Sequence, residues 1–441
     1  MTVRLLCVGD IHLGKRPTRV PGDLGVSAED LGPGVAWRRS VEVALERGVH
    51  AVLLAGDVVE RIEDRFRAFG VLVDGVRRLR ERGIRVVAVV GNHDVEALPL
   101  LAERIPDVEL LGRGEERWEC ARIEGEGGVA VDVWGWSFLS RIEADSPLRT
   151  FPTAPRRPGA AATIGLLHAD LDSSEARYAP VQRTALASAG LDAWLLGHVH
   201  APGLLGPDSP IGYLGSVAGT DPGEPGAHGP WAIEAGRDGS LAFDQVPVAP
   251  LRYDALEVDV TDLGATSERD DGADPADALA IRIDRCAAAW ISERGSELTR
   301  TDALALRVRL VGETARAATL RAAASTLAGH RLQVDGPRTF VESIVDATRP
   351  ALDVEALAAD DSYPGLIARR LVALEARGPV AARLLAKARA RVERDLDGHA
   401  AWRDLPEEER RVSDDALYER LERGARRTLE ALARQREEVA S

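Results

Sequence analysis

Short apolar runs alternate with amphipathic stretches along the first 250 residues. TVRLLCV (2–8), VHAVLLA (49–55) and IRVVAVV (84–90) are apolar runs of strand length. Their Val and Ile content is what strands buried on both faces require. Between them, residues 35–47 and 62–82 carry helical periodicity. In the second, Phe66, Phe69, Val73, Val76 and Leu79 lie close to the 3.6-residue period. Gly48 and Gly83 close the two helices. The order β-α-β-α-β predicts parallel strands joined by helical crossovers, an α/β fold.

The texture changes after a short helix at 96–104. Strands are predicted at 108–111, 117–124 and 129–136, then a Pro-rich loop from Pro147 to Pro158. An apolar strand at 162–167 ends in His168; a helix at 181–189 leads to a strand at 192–196. Strands around 211–215, 231–235 and 241–248 complete a first domain, 1–250. A second, 251–347, reads as small and α+β. It has an acid-rich loop at 262–275, a helix at 276–294, a half-buried strand at 303–310, a helix at 316–328 and a strand near 330–334. Residues 348–441 form a helical C-terminal region dense in Arg and Glu, punctuated by Pro379 and Pro406. Its apolar stripes (Leu366, Ile367, Leu371, Leu374; Leu417, Leu421, Leu429, Leu432) suit either packing on the protein's own core or docking on a partner helix.

Composition narrows this only at a few points. With 441 residues, 45% of them hydrophobic, the chain has ample material for a core. No run approaches the ~18 apolar residues of a membrane span. Residues 1–9 are too short for a signal peptide and read as a first strand, so a cytoplasmic location is expected. Cys7, Cys120 and Cys286 lack metal-ligand spacing and read as reduced, buried thiols. The net charge of −15 argues against bulk coating of nucleic acid. It leaves room for a nucleic-acid enzyme in which divalent cations or a local basic patch offset the phosphates.

The chemistry is concentrated where strands end. Asp10 and His12, Asp57, Asn92 and His93, His168, and His198 and His200 each follow an apolar strand. Ligands in open α/β sheets bind at the carboxyl ends of strands. Five of the nine histidines are in these loops, whereas His50, His228, His330 and His399 read as structural. Imidazoles suit transition metals, and carboxylate and amide oxygens suit Mn²⁺ and harder cations. This mixed set exceeds the needs of one ion and fits two, which at ~3.5–4 Å apart activate water and clamp both the attacking and leaving oxygens of a phosphoryl displacement. A carboxylate such as Asp57 can bridge the pair.

GDIHLG (9–14), GDVVER (56–61), GNHD (91–94), LLHADLD (166–172) and GHVH (197–200), in that order, resemble the motifs of the calcineurin-like metallophosphoesterase superfamily. GDIHLGK and the appended segments resemble the SbcD-type DNA repair exonuclease family within it. LRVRLVGET (306–314) resembles that family's capping domain. The resemblance implies a four-layer α/β/β/α metallophosphoesterase core with a small α+β cap and a C-terminal helical region. It implies that Asp10, His12 and His200 bind one Mn²⁺, that Asn92, His168 and His198 bind a second, and that Asp57 bridges them. His93 would contact the scissile phosphate and stabilise or protonate the leaving oxygen, with Asp94 orienting it. The implied partners are double-stranded DNA ends or hairpins and an SbcC-type coiled-coil ATPase, with no membrane; family members often dimerise. One departure stands out: the family's GD motif continues with an aromatic and then Asp, whereas here Val58-Val59-Glu60 follows. That change bears on the groove and on substrate choice. Tyr178 and Trp194 could stack on bases or pack in the core.

The leading functional reading is therefore a metal-dependent DNA exonuclease or endonuclease. A small-molecule phosphodiesterase or phosphatase on the same scaffold is the alternative, and a DNA-end tether with little catalysis is a third.

Overall fold

The computed structural model describes residues 1–173, 177–203, 205–206, 208, 210–264, 274–314, 317–398 and 412–440. In chain order the first elements are β1 (Thr2–Val8), α1 (Pro33–Arg47), β2 (Ala51–Ala55), α2 (Arg65–Arg80), β3 (Arg85–Val89), α3 (Ala97–Ala102) and β4 (Val108–Leu110). Then come β5 (Glu119–Glu124), β6 (Ala130–Trp136), β7 (Ala162–His168), α4 (Arg183–Ser188), β8 (Ala193–Gly197), β9 (Ile211–Tyr213), β10 (Trp231–Gly236) and β11 (Leu241–Gln245).

These strands form two mixed sheets. The first has the order β11-β10-β1-β2-β3-β4, the second β5-β6-β7-β8-β9. β1 to β4 run parallel, as do β6 to β9, while β10 and β5 join antiparallel. The alternation of side chains along each strand decides what is buried where. Leu5 and Cys7 of β1, Leu53 of β2 and Val87 of β3 pack against Val131, Ile164, Leu166 and Leu195 of the second sheet. Leu6, Val8 and Leu54 point the other way, toward Trp37 and Val41 of α1 and Leu72 and Val76 of α2. On the far side Trp194 and Leu196 meet Leu186 of α4. The result is the expected calcineurin-like α/β arrangement, two sheets face to face with helices outside. Each fully buried Leu, Ile or Val side chain contributes about 1.5–3 kcal/mol of transfer free energy.

The remaining elements are β12 (Leu251–Asp259), α5 (Pro275–Glu293), β13 (Ala303–Val311), β14 (Glu313–Thr314), α6 (Ala317–Thr326), β15 (Arg338–Asp346) and β16 (Arg349–Pro350). The described helices that follow are α7 (Val354–Ala358), α8 (Tyr363–Glu375), α9 (Pro379–Gly398) and α10 (Asp414–Ala440). β12, β13 and β15 make a three-stranded sheet. The strand expected near 330–334 is not one. Arg331 forms a single bridge to Phe340, and the ladder strand is 338–346. Leu332 and Val334 mimic strand alternation, but the chain at 329–332 merely runs beside β15, donating from Gly329 and Leu332 to Val341 and Thr339. Most of the acid-rich loop (265–273), His399 and Pro406 lie outside the described residues.

The chain divides into two compact units. One comprises Met1–Leu256, Asp284–Val308 and Gly329–Ser343; the other comprises Glu257–Ile283, Arg309–Ala328 and Ile344–Ser441. In the first, the loop after the first motif is anchored by Leu24 and Leu31, which pack with Leu251, Tyr253, Ala303 and Phe340. Tyr253 donates its hydroxyl to the Thr18 carbonyl at 2.6 Å. In the second, Ser362 caps α8 by accepting from Gly365 N. Leu371 and Ala368 of α8 bury against Leu429 of α10. The apolar stripes thus spend their inner faces on each other, while Leu366 and Val372 remain exposed.

All three cysteines are free, but only Cys7 is buried; Cys120 and Cys286 are half-buried. Among the described residues no helix is long and apolar enough to cross a membrane.

Candidate metal centre

The carboxyl ends of β1, β2, β3, β7 and β8 bring their loops together. The first two loops are stitched by backbone: Ile11 and His12 donate to the Asp57 carbonyl at 3.1 and 2.9 Å, Leu13 to Val58 and Glu60 to Leu13. Val58 and Val59 are fully buried under this pairing. Asp94 ties in the third loop. Its carboxylate, itself fully buried, accepts from Val58 N at 2.7 Å and Gly91 N at 2.8 Å. Burial, with the Asp57 carboxylate nearby, pushes Asp94 up to about 7. The resemblance gives Asp94 the task of orienting His93, but both its oxygens are occupied by backbone amides. His93 Nδ1 lies instead 3.3 Å from the Glu60 carbonyl oxygen.

Close approach explains two glycines. A Cβ on Gly91 would stand 2.2 Å from Asp57 Oδ1, and one on Gly197 2.2 Å from the Ala55 carbonyl oxygen. Three of the candidate ligands adopt left-handed backbone: His12 (φ 52°), Asp57 (φ 49°) and His198 (φ 106°). For non-glycine residues this costs of order 1–3 kcal/mol each and persists where surrounding contacts over-determine it, typically at functional sites.

Among the described residues three groups of donors converge, the third being His12, Glu60 and His93. In the first, Asp10, His12 and His200 each place a ligand atom within 4.8 Å of the others. His12 Nε2 and His200 Nε2 are 2.9 Å apart. His200 turns Nδ1 to Glu224 Oε1 at 2.6 Å. His12 turns Nδ1 to Glu60 Oε2 at 2.7 Å, a close ion pair and not an aligned hydrogen bond. The Glu224 bond places the His200 proton on Nδ1; with the His12 proton on the nitrogen that faces Glu60, two Nε2 lone pairs face each other. Such a pair repels unless a proton or a cation lies between them.

In the second group, Asp10, Asp57 and His168 come together in the same way. His168 Nδ1 lies 3.0 Å from the Ala55 carbonyl oxygen, to which it donates. Its Nε2 lone pair then faces Asn92 Oδ1 at 2.9 Å and Asp57 Oδ2 at 3.4 Å. Again acceptors converge on a space that lacks a donor. Asp10 belongs to both groups, and Asp57 of the second also lies near the first, its Oδ2 3.8 Å from His12 Nε2. Imidazole nitrogens and carboxylate or amide oxygens arranged like this fit divalent cations of the Mn²⁺ or Zn²⁺ type.

His198 and His93 stand apart from these two groups. The His198 ring contacts that of His168 edge-on at 5.2 Å. Its Nε2 pairs with Asp170 Oδ1 at 2.9 Å, and its backbone N–H donates to Asp10 Oδ1 at 2.9 Å. His93 is exposed. Its ring lies edge-on to His12 at 5.1 Å, and its backbone N–H donates to Asp57 Oδ1 at 2.9 Å. Tyr178 packs against the His198 ring at 5.1 Å, while Trp194 is a core residue.

The electrostatics follow from these contacts. Burial opposes protonation of His12, but Glu60, Asp57 and Asp10 outweigh it and hold its pKa above the usual imidazole value. Burial also opposes ionisation of Asp57, yet the surrounding His168, His12 and His93 hold it below the usual carboxylate value. For Glu224, burial is likewise overcome, by the bonds from His200 and Thr220 N, and its pKa falls to about 2. His198 is lowered, by burial and then by His168.

Sequence reasoning missed three carboxylates. Glu60 was visible only as a departure in the GD motif, Asp170 only as part of LLHADLD. Glu224 sits in a Gly/Pro-rich loop with no signal of its own.

Residues 3–202 match the family model described as calcineurin-like phosphoesterase. The uncharacterized metallophosphoesterase YhaO of Bacillus subtilis is 25% identical over 239 residues, 51% of this chain and 55% of that protein. The DNA double-strand break repair protein Mre11 of Methanopyrus kandleri is 24% identical over 208 residues, 45% of either chain. Mre11 of Aeropyrum pernix is 28% identical over 282 residues, 59% of this chain and 65% of that one. The chain thus spans between under half and just under two thirds of the length of these relatives. Residues 3–202 thus match the calcineurin-like phosphoesterase model and carry the corresponding two-sheet α/β fold, with converging donors at the strand ends that make a candidate dimetal site.

Proposed function

We propose that the chain is a divalent-metal-dependent nuclease that hydrolyses phosphodiester bonds in DNA, at duplex ends or in hairpins, in repair or end processing. The observation that carries the phosphodiesterase part is the pair of unbalanced donor groups that share Asp10 and lie on either side of Asp57. The similarity to two proteins named for double-strand break repair supports DNA as the substrate.

On this reading Asp10, His12 and His200 would hold one cation, Asn92, His168 and His198 the other, and Asp57 both; Mn²⁺ is the proposed ion. When bound, the two ions activate water and neutralise charge on the phosphate. The protein's own residues do the rest. Asp94, through the Val58 and Gly91 amides, fixes the loops that carry Asp57 and Asn92. His93, exposed at the rim and held by its backbone bond to Asp57, contacts the scissile phosphate and delivers a proton to the leaving oxygen. The exposed Leu366 and Val372 of α8 make a coiled-coil ATPase of the SbcC type a reasonable partner for the C-terminal helices.

The net charge of −15 favours a second reading, a small-molecule phosphodiesterase. Incubating the purified chain with linear plasmid, hairpin DNA and bis-nitrophenyl phosphate, in Mn²⁺ or EDTA, separates the two. Mn²⁺-dependent cleavage of DNA supports the nuclease. Cleavage of the small ester alone supports the second reading, and inertness toward all three substrates supports a tether.

A further inference from the structure

We infer that the two metal positions are unequal, and that the one built on His12 and His200 fills first because Glu60 and Glu224 stand behind its imidazoles. The inference rests on the two-metal reading above and concerns how the chain loads that site.

The asymmetry lies behind the ligands. Both imidazoles of the first position direct Nδ1 at a carboxylate, at 2.7 Å to Glu60 and 2.6 Å to Glu224. These carboxylates are sheltered, with side-chain exposures of 16% and 14%. Glu224 is also rigidly placed: Oε2 accepts from Thr220 N at 2.7 Å, and the residue's carbonyl oxygen lies 3.1 Å from His228 Nε2. A carboxylate behind an imidazole fixes the ring, raises its basicity and adds negative charge close to the ion. Lys15 Nζ, 3.6 Å from Glu224 Oε1, offsets part of that charge.

The second position has less. His168 is backed by the neutral Ala55 carbonyl at 3.0 Å. Asn92 contributes a neutral amide oxygen. Only His198 has a carboxylate behind it, Asp170 at 2.9 Å. Leaving aside Asp10 and Asp57, which approach both positions, the first has Glu60 and Glu224 behind its imidazoles and the second has Asp170. Two carboxylate-backed imidazoles at the first position against one at the second therefore give a cation the stronger nitrogen donors at the first. Glu60 and Glu224 are positioning residues here, since they act through His12 and His200.

The test is a Mn²⁺ titration of the metal-free full chain, followed by calorimetry and by electron paramagnetic resonance, which distinguishes a lone Mn²⁺ from a spin-coupled pair. Two binding events are expected, with spin coupling appearing only in the second. Glu60→Gln and Glu224→Gln should each weaken the first event by about 10- to 100-fold, the usual effect of losing such a partner. Asp170→Asn should weaken the second event and spare the first. Equal affinities with coupling from the first equivalent in the native chain would overturn the inference, as would Gln variants that weaken only the second event. Absence of any Mn²⁺ binding would instead remove the two-metal reading on which it stands. The native titration decides the matter even if a variant fails to fold.

Discussion

His12 and His200 face each other Nε2 to Nε2 at 2.9 Å, and each directs its other ring nitrogen at a glutamate. With both Nδ1 positions protonated, that contact holds two lone pairs and no donor. Without an ion, a shared proton must relieve it, in keeping with the elevated pKa of His12. The geometry is thus prepared for a cation, and the cost of holding it is present before the ion arrives.

Binding should therefore stabilise the fold. An ion that binds only the native state adds RT ln(1 + [L]/Kd), about 2.7 kcal/mol at a hundredfold excess over Kd. Thermal unfolding in EDTA and in increasing Mn²⁺ is expected to show a rising midpoint that chelation reverses. A midpoint indifferent to Mn²⁺ would mean that the donor groups do not hold an ion.

Asp94 is predicted to matter first for the fold. Asp94→Ala strands two buried amides, Val58 N and Gly91 N. At about 1–3 kcal/mol for each unsatisfied buried group, the loss should be roughly 2–6 kcal/mol by urea denaturation in EDTA. If stability is unchanged and only hydrolysis falls, the residue serves His93 after all.

Gly91→Ala places a methyl 2.2 Å from Asp57 Oδ1, with Asp57 N only slightly farther at 2.6 Å. Neither neighbour is the free end of a flexible chain. Destabilisation of about 1–3 kcal/mol is expected, as for other overpacked sites. Because the displaced group is a carboxylate of the proposed metal site, Mn²⁺ affinity should fall in the same variant. Calorimetric titration alongside unfolding would show both effects, and native affinity would argue that Asp57 does not need its present position.

For His93→Ala the prediction is a split between binding and turnover. Its side chain lies outside the two groups that share Asp10, so two equivalents of Mn²⁺ should still bind. Phosphodiester cleavage should drop by about 10²- to 10⁴-fold, the range for loss of a general acid. Loss of bound metal in this variant would reassign His93 as a ligand, a role open to it through its proximity to His12 and Glu60.

Most of the first 250 residues could be read from the chain because burial leaves a periodic trace. β1, β2, β3, β7 and β8 are continuous apolar runs, and the loops at their ends carry the chemistry. β15 escaped because Thr339-Phe340-Val341 are buried in succession, after which the strand is only half-buried, so it shows no clean alternation. The carboxylates behind the imidazoles escaped for another reason. Glu224 reaches His200 across 24 residues of chain that include β9, and such a contact is set by tertiary geometry, which no local pattern encodes. Glu60 was conspicuous only for being unlike the family's Asp, and its contact with His12 gives that difference a physical consequence. Asp94 shows the opposite failure. Its position in GNHD suggests service to its neighbour His93, but its oxygens take the amides of Gly91, in its own loop, and of Val58, in the loop after β2.

The central claim is tested most directly by assaying end-labelled duplex DNA with the native chain and with His93→Ala, each loaded to a measured Mn²⁺ stoichiometry. Two ions in both proteins, with cleavage by the native chain alone and its abolition by EDTA, is the predicted result. Two bound ions in a native chain that leaves DNA intact but hydrolyses bis-nitrophenyl phosphate would contradict the assignment to DNA, and a native chain that binds no ion would contradict the metal centre itself.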